Sequence, residues 1–272
     1  KINPTDQVVA ADLMNLNQTE KAVENSEIVY FTAGLPMDSE LWESDFLIMI
    51  DNIIKACQKS KSKLVFFDNT YMYPKDDTPQ YEETDFLPVG RKSTIRAKMA
   101  QLVLDEIENG TLEAVICRAP EFYGPKRTQS ITNKLVLDKI KNHLTANIPL
   151  NKETLRTLIW TPDASRAMAL IGNTPSAYGQ TWHLPCDEPQ TYADILAISE
   201  GVVNGTLKAK VTPLWQFKLL KPFNKYVREL DELLPRYGKD NIFVSDKFKH
   251  AFPDFKITTL EKGISIVLAE EK

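Results

Sequence analysis

Lys63-Leu64-Val65-Phe66-Phe67-Asp68-Asn69-Thr70-Tyr71-Met72-Tyr73 is a nearly unbroken apolar run that stops abruptly at polar residues and resumes with aromatics. A strand buried on only one face alternates apolar and polar residues, whereas one covered on both faces reads as a continuous apolar run. Residues 63–67 are therefore expected to form an inner strand of a parallel sheet. Asp68 and its neighbours would sit at the strand's carboxyl end, where ligands bind in open α/β sheets.

Working outward, runs of the same kind occur at 7–11, 27–32 and 113–117. Between them lie stretches of helical period at 18–24, 39–58 and 90–108, the last ended by Asn109-Gly110 as a C-terminal stop. Strands alternating with helices predict βα units around a parallel sheet. After Pro125 the pattern changes to a helix over 131–144, a short strand near 155–160, and a helix opened by Thr161-Pro162-Asp163, with Pro in its first turn. Prolines then recur at 175, 185, 189, 213, 222, 235 and 253 among short elements. This organisation predicts an α/β core over 1–150 and, over 151–272, a remaining core element plus a smaller lobe.

The 272 residues are 43% hydrophobic, enough for a substantial core, and hold 33 Lys and Arg against 37 Asp and Glu, a net charge of −4. No five like charges are consecutive, which argues against nucleic acid or a membrane as a partner. The longest apolar stretches, 46–50 and 264–269, fall far short of a membrane span. Cys57, Cys117 and Cys186 are odd in number and widely spaced, as expected of reduced thiols in a cytoplasmic protein. His143, His183 and His250 form no metal-ligand pattern.

The residues that follow the apolar runs are Asp12-Leu13, Thr32-Ala33-Gly34, Asp68 to Tyr73, and Arg118-Ala119-Pro120-Glu121-Phe122-Tyr123-Gly124-Pro125. In this order and spacing, and continuing through Asp163 and Trp182-His183-Leu184-Pro185, they resemble the extended short-chain dehydrogenase/reductase family of NAD-dependent epimerases and dehydratases. The resemblance implies a Rossmann-like doubly wound parallel sheet with a smaller C-terminal substrate lobe, NAD or NADP as cofactor, and a small-molecule substrate, with a homodimer open as the assembly. It implies cofactor contacts at Asp12 and Leu13 (adenine), at the small residues Thr32, Ala33 and Gly34, and at Arg118 and Ala119. Asp12 also reads as a helix cap. The family's glycine-rich pyrophosphate turn is absent from these residues. Residues 7–11 would then be the family's third strand, with roughly 30 to 40 residues carrying the first βα unit expected upstream of Lys1.

The family's catalytic Tyr-x-x-x-Lys pair is also absent. Its helix commonly begins Pro-Tyr-Gly-x-Ser-Lys, and the matching run here is Pro88-Val89-Gly90-Arg91-Lys92-Ser93, with Val for Tyr and Ser for Lys. Lys92 is one residue off, a rotation of about 100° on a helix. The literal match Tyr71-Met72-Tyr73-Pro74-Lys75 follows a strand and contains Pro, so it is not a helical pair. Asn69 stands at the family's Ser/Thr position and can hydrogen-bond a carbonyl without relaying a proton. Tyr71 is the expected substitute proton donor and Asp68 a candidate base, although each also reads as packing or a loop cap. Tyr73, Arg91, Glu121 and His183 are candidate substrate contacts, and Arg91, Lys92 and Arg96, at a helix start, read as a solvated face or as a site for an anionic substrate or a cofactor 2′-phosphate. Many nucleotide-sugar members carry Asn where Glu121 stands. A carboxylate there, unless paired with a base such as Arg118, disfavours a diphosphate and points to a small carbonyl or alcohol substrate. Two functions follow: an oxidoreductase or epimerase with a rearranged acid/base group, or a catalytically silent dinucleotide-binding protein of the same fold.

Overall fold

The computed structural model describes residues 3–126 and 128–270. The first half runs α1 (Leu16–Val23), β1 (Ile28–Phe31), α2 (Ser39–Ser60), β2 (Lys63–Asp68), α3 (Arg91–Glu108) and β3 (Ala114–Arg118). The chain continues through β4 (Glu121–Tyr123), α4 (Asp138–Lys141), β5 (Ala146–Pro149), β6 (Leu158–Trp160), α5 (Thr161–Gly172) and β7 (Thr181–His183). It ends with α6 (Tyr192–Val203), β8 (Ala209–Thr212), α7 (Leu214–Leu220), α8 (Lys225–Leu230), α9 (Asp246–Ala251) and α10 (Leu260–Ala269).

The main sheet has the order β1-β2-β3-β7, all parallel. Its inner strands are apolar on both faces because helices cover both. Leu64, Phe66, Ala114 and Ile116 point into a core shared with α2 and α3. The alternate residues Val65, Val115 and Cys117 join a second core with Ala164, Ala167 and Ile171 of α5 and Phe248 of α9. This is a Rossmann-like, doubly wound α/β architecture. The free Cys57, Cys117 and Cys186 are all buried in it.

Residues 7–11, expected as the first strand, instead run as irregular chain with Val8 and Val9 exposed. A strand needs a ladder partner for its N–H and C=O groups, and among the described residues none pairs with the outer edge of β1. The expected helix over 131–144 forms, but Asn133–Leu137 is a π-helical turn leading into α4.

A third core holds Val136, Ile140, Ile148, Trp160, Ile195 and Ile264, which packs the segment after β4 against α6 and α10. Two parallel strand pairs, β4 with β6 and β5 with β8, frame it. Phe217, Val227, Leu230 and Leu234 make a smaller fourth cluster. Among the described residues, no helix is long and apolar enough to cross a membrane.

Candidate functional site

The carboxyl ends of β1 and β2 and the chain after β3 open into a cavity of about 870 Å³. Thr32, Ala33 and Gly34 line it from β1, Asp68, Asn69 and Tyr71 from β2, and Glu121 and Phe122 from β4. The C-terminal lobe closes it with Arg156, Tyr226, Arg236, Tyr237 and Asn241.

Tyr71 occupies one wall, its ring stacked on Trp42 at 6.0 Å with an interplanar angle of 9°. The backbone holds it there, because Tyr71 N donates to Asn69 Oδ1 at 2.9 Å. Burial raises the phenol above its ordinary pKa, and the Arg236 guanidinium, 5.7 Å from the ring centroid, pulls the other way. The phenol therefore stays protonated at neutral pH. Arg236 is itself drawn down to about 10 by burial. It donates to Thr70 Oγ1 at 2.9 Å and to the Thr70 carbonyl.

Asp68 is fully buried and its carboxylate is committed. Oδ1 accepts from Arg96 Nη2 at 2.6 Å and Nε at 3.1 Å, and Oδ2 accepts from Arg118 Nε at 3.1 Å. This corrects the reading of Asp68 as a candidate base and fits its reading as a cap, because a carboxylate shared by two buried guanidinium groups and by Asn69 N anchors the mouth. Arg118 and Ala119, expected at the cofactor, are buried and outside the cavity wall. Arg118 continues the network by donating to Tyr73 Oη at 2.5 Å.

Tyr73 and His183 are likewise withdrawn from the expected substrate contacts, both being fully buried. His183 Nδ1 lies 2.7 Å from the Val244 carbonyl, which requires the proton on Nδ1. Nε2 is then an acceptor for the Tyr73 hydroxyl at 2.7 Å. Burial first, then the Arg118 charge, lowers the imidazole pKa to about 3. Arg91 points to the surface and pairs with Glu43 through Nε at 2.7 Å. Lys92 is buried rather than solvated, 2.9 Å from Glu229 and 3.0 Å from Ser39 Oγ. Asp12 lies off the cavity, its Oδ1 accepting from Met14 N at 2.9 Å, and the Leu13 carbonyl accepts from Asn52 Nδ2 at 2.8 Å.

Glu121 does line the cavity, but its partner is not Arg118. Oε2 accepts from Arg156 Nη2 at 2.9 Å and from the Tyr237 hydroxyl at 3.0 Å. Oε1 accepts from Thr132 N at 3.0 Å and Oγ1 at 2.7 Å. The carboxylate is neutralised in place, which removes the repulsion expected against an anionic ligand. Arg156, Arg236 and Tyr237 went unnoticed in the sequence. The available signal was an arginine set in the apolar-flanked runs Leu155-Arg156-Thr157 and Leu234-Pro235-Arg236-Tyr237, since a buried arginine requires a partner.

A doubly wound parallel sheet with a strand-end cavity closed by a C-terminal lobe defines a Rossmann-like α/β protein. Residues 1–184 match the model of the NAD dependent epimerase/dehydratase family, and the chain belongs to that family. No curated protein matches it by sequence. Among solved structures it is similar to UDP-glucuronic acid 4-epimerase from Bacillus cereus in complex with NAD, with a TM-score of 0.77, 15% identity, and coverage of 98% of this chain and 81% of that one. It is also similar to the UDP-glucose 4-epimerase of Thermus thermophilus in complex with NAD, with a TM-score of 0.74, 14% identity, and coverage of 98% and 85%. For dTDP-glucose 4,6-dehydratase from Bacillus anthracis str. Ames the TM-score is 0.76 at 14% identity, covering 98% and 80%. At such identities the likeness is one of fold.

Proposed function

We propose that this chain is an NAD(P)-dependent epimerase/dehydratase-like oxidoreductase acting on a small carbonyl or alcohol substrate in the strand-end cavity. The observation that carries the reading is the Tyr71 phenol, fixed in the cavity wall by Trp42 and Asn69 and kept protonated by burial. The family implies a nicotinamide dinucleotide, and one end of this cavity suits it. Thr32, Ala33 and Gly34 leave small side chains along the wall, and a Cβ built on Gly34 would meet nothing within 4 Å. The backbone of these three residues would run beside the cofactor. No glycine-rich turn occurs in the 272 residues, and we assign no residue to the pyrophosphate.

When bound, the nicotinamide supplies or accepts the hydride. Tyr71 gives a proton to the substrate oxygen in the reducing direction and takes it back in the other. Asn69 spends its amide oxygen on Tyr71 N, leaving its NH₂ to orient the same substrate oxygen. Glu121 and Arg156 form a charge-neutral far wall. Free, buried cysteines support a cytoplasmic location.

The catalytically silent reading draws on a different observation. The Asp68 carboxylate is locked by Arg96 and Arg118, so the proton relay rests on Tyr71 alone.

Melting curves of the full-length protein with NAD, NADH, NADP and NADPH test the proposal. A bound cofactor at 100 times its dissociation constant stabilises by about 2.7 kcal/mol. Absence of a shift with all four would overturn both readings, while binding without turnover on any carbonyl or alcohol would select the silent one.

A further inference from the structure

Between Gly201 and Arg228 the chain has no acidic residue, yet it carries Lys208, Lys210, Lys218, Lys221, Lys225 and Arg228 within a protein of net charge −4. Averaging charge over the whole sequence conceals this local excess. Lys221 pairs with Asp231 and Lys225 with Asp38. Lys208, Lys210, Lys218 and Arg228 are exposed and make no ion pair among the described residues.

The same segment displays large apolar side chains. Trp215 is 62% exposed, Leu219 65% and Phe223 87%, with Leu220 also open to solvent. Trp215 and Leu219 are one helical turn apart on α7, and Phe223 follows after another four residues. Phe217, facing the opposite way, is buried against Val227, Leu230 and Leu234 and fixes the helix to the fold. An outward aromatic and leucine stripe with one free cation on its helix and others in the flanking chain is the composition of an element that lies in a membrane interface. Its apolar side chains enter the acyl boundary, and its lysines extend to acidic headgroups.

We propose that α7 and the flanking residues 201–228 dock this protein on an anionic lipid bilayer. A second copy is a poor occupant. A twofold contact would set the same cations against themselves. Nucleic acid would use the charges and the two aromatic rings but gain nothing from Leu219 and Leu220, whereas acyl chains use all four. The cavity wall begins two residues beyond Phe223, at Lys225 and Tyr226, so the docking element and the cavity share a boundary.

The test is sedimentation of the full chain with phosphatidylcholine vesicles, with and without phosphatidylglycerol. The chain is expected to sediment only with the anionic vesicles, less so at high salt. Tryptophan emission should shift to the blue on binding, a change reporting Trp215 because Trp42, Trp160 and Trp182 are already buried. Trp215→Ser with Phe223→Ser, and separately Lys208→Glu with Lys210→Glu and Lys218→Glu, should each weaken partitioning about tenfold or more with the melting temperature unchanged. Failure to sediment with anionic vesicles, or full binding by both variants, overturns the proposal. So does tighter binding to a single-stranded oligonucleotide or to polyglutamate than to the vesicles. Loss of a dimer in the Trp215/Phe223 variant without vesicle binding would assign the surface to a second copy instead.

Discussion

Glu121 and Arg156 pair within one wall of the cavity, Oε2 to Nη2 at 2.9 Å, from β4 and from the bridge that precedes β6. Arg156 has only 2% of its side chain exposed and Glu121 13%. Burial disfavours the guanidinium charge, and the Glu121 carboxylate, with the Tyr192 and Tyr237 rings beside it, more than restores it. Removing one member of such a pair strands the other without solvent.

Glu121→Gln is accordingly expected to destabilise the protein by about 3 to 5 kcal/mol, the cost of a buried charge left alone. Urea unfolding measures this. A loss below ~1 kcal/mol would show that water already screens the pair.

His183 predicts a pH dependence. Its folded pKa of about 3 lies below the ordinary value of 6.5, so below pH 6.5 the unfolded chain binds a proton that the folded one refuses. The stability this residue confers is complete above pH 6.5 and falls as the pH drops toward 3. The slope approaches about 1.4 kcal/mol per pH unit within that window. Comparing unfolding free energies at pH 7 and pH 5 in the natural protein and in His183→Gln isolates the effect. Equal pH dependence in both would mean that His183 takes up its proton as readily in the fold as in the unfolded chain, contrary to its burial and its hydrogen bond with Tyr73.

Gly90 opens α3 at φ +113°, a conformation that L side chains rarely adopt, and a Cβ there would lie 2.6 Å from Glu232 Cδ. The Glu232 carboxylate accepts from Lys92 N at 3.2 Å, Ser93 N at 2.9 Å and Ser93 Oγ at 2.9 Å, capping the helix with a residue of the C-terminal lobe. Lys75 reaches the same place, 3.2 Å from Ser93 Oγ and 2.8 Å from the Glu232 carbonyl. Gly90→Ala is expected to cost about 2 kcal/mol in chemical denaturation through backbone strain and displacement of this cap. A neutral result would show that the helix start relaxes freely.

How far these features could be read from the sequence varies with how local their causes are. β2 and β3 were legible because burial on both faces writes itself as an apolar run. Residues 7–11 share the composition but not the outcome, since a strand is a property of its partner as much as of its own residues. Glu121 lines the cavity, with Arg156 rather than Arg118 as its partner. Asp68 and Arg118 are register neighbours on adjacent parallel strands, so Asp68 claims that arginine. The arginine left for Glu121 is 35 residues away, and Arg236 meets Thr70 across 166. No local pattern encodes contacts of that range.

Tyr71→Phe is the substitution that bears on chemistry. The ring's position comes from its stack on Trp42 and from the backbone bond to Asn69, neither of which involves the hydroxyl. Phe should therefore keep the same place with little change in stability. If the phenol passes the proton to and from the substrate oxygen, its loss should lower kcat by roughly 100- to 10,000-fold, the usual share of a positioned acid or base. Cofactor affinity should not move, because no cofactor contact is assigned to that oxygen. The raised pKa carries a second signature. Loss of the proton at high pH should begin above the ordinary tyrosine value of 10, so activity in the reducing direction should persist to at least that pH. Steady-state kinetics of both proteins across pH 6 to 10 decide the matter, and a Phe variant with undiminished kcat would remove Tyr71 from the mechanism.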